Sequence, residues 1–119
     1  MTFRTVRSDV APLQNNLGTI TTNTTIDVSQ TPEVKFTLGA DLTLSFQSWA
    51  ATGYRQEIEL EIVNGGAHTI TWPVVNWLKG DGTSSTTFSS MTVSLQASGT
   101  NFVLIWTTDN GTTLWGTAA

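Results

Sequence analysis

Residues 55–64 read RQEIELEIVN, and this stretch decides the fold. Ile58, Leu60 and Ile62 alternate with Glu57, Glu59 and Glu61. Successive side chains of a strand point to opposite faces, so this period of two sets an apolar face against an acidic one. Upstream the same alternation recurs in Ile26 and Val28, in Val34, Phe36 and Leu38, and in Leu42, Leu44 and Phe46; downstream it recurs in Met91, Val93, Leu95 and Ala97. Gly, Pro, Asn or Asp fences each segment, at the spacing of sandwiches and barrels. Threonine, which loses side-chain freedom in a helix and packs well on a pleated sheet, fills 23 positions.

The connections fill in the rest. Asn64-Gly65-Gly66 leads into residues 68–72 (HTITW) and predicts a hairpin. Lys79-Gly80-Asp81-Gly82-Thr83 lacks the glycine spacing of a phosphate loop and reads as a tip loop. Residues 102–106, FVLIW, are apolar on both faces, which places them mid-sheet or against another subunit. Phe102, Leu104 and Trp106 are therefore the candidates for a subunit interface. Asp109-Asn110-Gly111 offers a type I′ turn into residues 112–115. About eight strands in residues 20–119 predict an all-β domain of two packed antiparallel sheets, a β-sandwich. Residues 1–19 lack a sustained period of two, carry Pro12 and end in Asn15-Asn16-Leu17-Gly18, so they read as an extended N-terminal arm and connector.

Composition narrows the chemistry. There is no cysteine and only one histidine, His68, which removes disulfides, thiolate nucleophiles and multi-histidine metal sites. The chain is expected not to be an enzyme, and to need no cofactor or metal. Charged residues make up 12% and the net charge is −4. Arg4 and Arg7 fall at the start, whereas the remainder carries three basic and nine acidic side chains. An acidic body repels a phosphate backbone, so no nucleic-acid partner is expected. No apolar run reaches the roughly 20 residues that span a bilayer, and no signal-peptide stretch accompanies the arginines. The expectation is a soluble protein made in the cytoplasm, with no membrane partner.

From Glu57 to Trp115 the order is an alternating strand, an Asn-Gly turn, HTITWPVVNWLKGDGT, a Ser/Thr-rich loop, an alternating strand, an aromatic strand and a final hairpin. This resembles the β-sandwich modules of tailed-bacteriophage virion proteins, found in capsid decoration proteins and in tail-fibre or tail-tip parts. The cue is Thr71-Trp72-Pro73, Val75, Trp77 and Gly80, followed by a strand ending in Gly99-Thr100-Asn101. The resemblance implies a jelly-roll-like subunit that works as a homotrimer on a virus particle.

Two functions follow as expectations. In the first, the chain is a capsid decoration, or cement, protein made in the host cytoplasm. Its homotrimers bind the outer head surface and bridge major capsid subunits. A lone small domain suits this role, and Phe3, Arg4, Val6 and Arg7 would lie along an acidic capsid groove. The alternative is a tail-tip or tail-fibre module that binds a host-surface glycan through Trp72, Trp77 and Trp115. Glu57, Glu59 and Glu61 have the spacing of a glycosidase carboxylate pair, but three like charges in a row read as a solvated face. In a trimer the same ladder is a candidate for collecting calcium.

Overall fold

The computed structural model describes residues 13–119. In chain order the strands are β1 (Gln14–Ile20), β2 (Thr24–Asp27), β3 (Glu33–Leu38), β4 (Leu42–Gln47), β5 (Gln56–Val63), β6 (Ile70–Thr71), β7 (Asn76–Leu78), β8 (Ser84–Ser85), β9 (Thr100–Thr107) and β10 (Trp115–Ala118). The described residues contain no α-helix, only a short 3-10 turn at Phe88–Ser90. One sheet has seven strands in the order β1-β3-β5-β9-β10-β7-β8, and a second has three in the order β2-β4-β6.

The first six strands alternate between the sheets, and β3 to β6 each pair in parallel with the strand two before. A parallel pair needs a crossover, and here a strand of the opposite sheet supplies it. The chain thus coils between two sheets that share one core. Phe36 of β3, Leu44 of β4, Ile58, Leu60 and Ile62 of β5, and Val103 and Ile105 of β9 are wholly enclosed in it. Each such side chain contributes roughly 1.5–3 kcal/mol by leaving water. Register extends the core from strand to strand. Val34, Leu60 and Val103 form one rung, and Ile58, Ile105, Gly116 and Trp77 form another. Gly116 sits under the Trp77 ring, where a Cβ would stand 2.5 Å from Cζ3, so the missing side chain is what lets Trp77 bury itself.

The all-β class and the two sheets agree with the sequence reading. Strand direction and count do not. Five of the eight pairings among the described residues are parallel, and there are ten strands rather than about eight. The expected antiparallel, jelly-roll-like arrangement is therefore not what the pairings form. A period of two reports which face is buried and is silent on the direction of the neighbour.

Three local expectations change as well. The connector contains β1, an edge strand on β3, whose side chains are mostly exposed and so leave no alternation to read. Its ladder is broken between Asn16 and Thr19, at Gly18 in the left-handed region. Asn64-Gly65-Gly66 does not close a hairpin. It is held by residues 96–99, with the Asn64 N–H donating to the Gly99 carbonyl and the Gly66 N–H to the Gln96 carbonyl, and the chain crosses to the other sheet as β6. Residues 91–97 keep their alternation, with Met91, Val93 and Leu95 half-buried, yet they join no ladder. The loop at 79–83 does form a hairpin turn between β7 and β8, where Asp81 accepts the N–H and hydroxyl of Thr83.

Candidate interaction face

Strand β9 lies between β5 and β10, hydrogen-bonded on both sides, so its side chains alone decide what its outer face offers. Val103 and Ile105 point to the core, and Phe102, Leu104 and Trp106 point away from it. Phe102 is 44% exposed, and Leu104 and Trp106 are half-buried. These three, named from the sequence as candidates for a subunit interface, lie on one face of β9. Register adds Trp115 of β10 directly beside Trp106. The result is an apolar row at the centre of the larger sheet.

The same register brings the acidic ladder alongside. Glu61 stands opposite Phe102, Glu59 opposite Leu104 and Glu57 opposite Trp106. Glu33 of β3 pairs with Glu59, and Lys35 pairs with Glu61. Basic groups sit at both ends of the ladder. Lys35 Nζ lies 3.4 Å from Glu61 Oε2, and Gln14 Nε2 donates to Glu61 Oε1 at 3.0 Å. Arg55 Nη2 donates to Glu57 Oε2 at 3.0 Å while its guanidinium carbon lies 5.1 Å from the Trp106 ring centre. Such an exposed cation–π contact contributes about 0.5–1 kcal/mol. Among the described residues no three His, Cys, Asp or Glu side chains converge in a way that could hold a metal ion. An apolar centre with an ionic margin is the anatomy of a protein-protein interface, in which charge is displaced to the rim.

The tryptophans named for a glycan platform do not form one, although Trp72 and Trp77 meet edge to face at 5.2 Å. Trp115 belongs to the outer face just described. Trp77 is 1% exposed, enclosed under Phe88 and Trp72, and offers no ring face to a sugar; this corrects its place in the platform. Trp72 is half-buried and stacks on Phe88 at 5.6 Å and 9°. It borders a cleft of about 500 Å³ whose rim includes His68, Thr69, Thr86 and Thr87. His68 itself is exposed, 3.7 Å from Asp41. Phe88 went unremarked in the sequence because the Ser/Thr-rich loop around it has no period; the 3-10 turn is what delivers it to the tryptophans.

A second cleft, of about 480 Å³, lies where the chain leaves β4 and meets the loop between β9 and β10. Phe46, Trp49 and Asn110 line it. In that loop the Asp109 carboxylate accepts the Thr113 N–H and the Thr107 hydroxyl, and these hydrogen bonds hold its pKa below the ordinary carboxylate value. Asn110 and Gly111 both have positive φ, as an Asn-Gly turn requires, although the loop is longer than the tight turn expected.

Phe3, Arg4, Val6 and Arg7 lie outside the described residues. No helix among the described residues is long and apolar enough to cross a membrane. Comparison with protein-family models, with curated proteins and with solved structures finds no match.

Proposed function

We propose that this chain is a bacteriophage virion structural protein: a capsid decoration, or cement, protein whose homotrimers bind the outer head surface and bridge major capsid subunits. The observation that carries this reading is the row of Phe102, Leu104 and Trp106 on a centrally placed strand. A monomer gains nothing from three large apolar side chains pointing away from its own core, and copies that cover them remove that surface from water. The Trp72-Pro73 to Gly80 motif supports the phage assignment by resemblance, with the two sheets read as a sandwich module. The basic arm of Phe3, Arg4, Val6 and Arg7 supplies the capsid contact in this scheme. It assigns no catalytic step and no cofactor.

The test combines assembly with location. Sedimentation equilibrium at micromolar concentration is expected to give three times the 12.8 kDa chain mass, and cryo-EM of particles to place the chain on the head. A persistent monomer, or density confined to the tail, overturns the scheme. A second reading, a tail-tip or tail-fibre module that binds host glycan, is favoured by one observation: Trp72 borders a cleft with a polar rim. Tail density together with glycan binding that is lost in Trp72→Ala would establish it.

A further inference from the structure

Every residue lining the cleft at Trp49 is uncharged, although the molecule as a whole is acidic. Its volume of about 480 Å³ falls in the roughly 300–1,000 Å³ range of small-molecule clefts. Two aromatic rings form one side, Phe46 and Trp49, tilted with centres 6.0 Å apart. Polar groups come from Gln47 at the end of β4, from Ser48 after it and from Asn110 in the loop between β9 and β10.

The polar side is held in place. Asn110 Nδ2 donates to the carbonyls of Trp49 and Ala50, at 3.1 and 3.0 Å, so the amide cannot turn. Its Oδ1 accepts no hydrogen bond among the described residues and remains an oriented acceptor. Ser48, Asn110 and Gly111 all adopt left-handed backbone, with φ of 68°, 61° and 80°. For a serine this conformation is uncommon and strained. Gly111 is required here: a Cβ would run into the Trp49 indole. The Trp49 indole N–H makes no hydrogen bond among the described residues either, leaving a donor unused on a residue that lines the cleft.

We propose that this cleft is a binding site for a neutral saccharide, with a pyranose C–H face on Trp49 and hydroxyls on Asn110 Oδ1 and Gln47. An aromatic plane with a fixed amide beside it suits a ring that is apolar on its face and hydroxylated around its edge. An acidic sugar would find no cation in the lining and a net charge of −4 on the protein. The proposal moves the glycan-binding reading from Trp72 to Trp49, and it holds for a head or a tail protein alike.

The experiment is an NMR titration of the ¹⁵N-labelled chain with maltose, lactose, cellobiose and chitobiose, and with glucuronic acid, into the millimolar range. The indole N–H signals of the five tryptophans identify the cleft that responds. A saturable shift of the Trp49 signal with at least one neutral disaccharide, and none with glucuronic acid, is expected. Asn110→Gly keeps the left-handed backbone while removing the amide, and binding should weaken about tenfold, the loss of one or two hydrogen bonds. Shifts confined to Trp72 would support glycan binding and overturn this site. No saturable shift with any neutral disaccharide, an equal response to glucuronic acid, or undiminished binding by Asn110→Gly would overturn it too.

Discussion

Gly116 and Asp109 show how single residues set the tolerances of this fold. A methyl group at Gly116 would meet Trp77 Cζ3 and Cε3 at 2.5 and 2.7 Å and Val75 Cγ1 at 2.9 Å, all in a closed part of the core. Gly116→Ala is expected to lower unfolding stability by about 1–3 kcal/mol in urea titration, the usual cost of overpacking. Asp109 acts through protonation. Hydrogen bonds from Thr113 and Thr107 depress its pKa, so the folded state holds that proton less tightly than the unfolded chain. The resulting stabilisation is complete above the ordinary carboxylate value, roughly pH 4, and is lost as pH falls through the depressed one. Asp27 and Asp81, depressed by hydrogen bonds from Ser29 and Thr83, have the same sign. Melting temperature should therefore fall with acid, and Asp109→Asn should melt lower at neutral pH with a shallower acid slope.

Among the strands, β9 carries two opposite predictions on adjacent residues. Ile105 is wholly enclosed, and Ile105→Ala should cost about 2–5 kcal/mol of stability. Leu104 faces outward, opposite Glu59. Leu104→Lys should leave the melting temperature within a few degrees while converting the proposed trimer to monomer in sedimentation equilibrium. Unfolding by Leu104→Lys, or a trimer that survives it, would remove the outer row from the interface. The inner and outer faces of β5 were legible in RQEIELEIVN because each carries one kind of side chain, and the double apolarity of residues 102–106 marked the outer row for the same reason. What stayed hidden was relational. Nothing in β1 signals a strand, because an edge with both faces wet needs no pattern. Asn110 reads as a turn residue, and its hold on the Trp49 carbonyl, 61 residues away in sequence, has no local trace.

For the whole molecule, the proposed attachment to heads is tested through charge. Arg4 and Arg7 stand apart from an acidic body, so replacing both with Ala should weaken binding to undecorated heads and flatten its salt dependence. Phe3→Ala should weaken binding without changing the salt slope, since apolar burial is little screened. Unchanged affinity of the double variant across a salt titration would move the anchoring surface onto the sheets. The topology also imposes an order on assembly. Strands β1 to β6 can wind up one after another from neighbouring stretches of chain, but β5 completes its second edge only when β9 arrives from beyond residues 64–99, a stretch that holds the short strands β6 to β8. Closing so long a loop is entropically slow. Until then a nascent chain carries the core face of β5 beside an unfilled row of backbone donors and acceptors, the form in which a second chain competes most effectively for the place of β9.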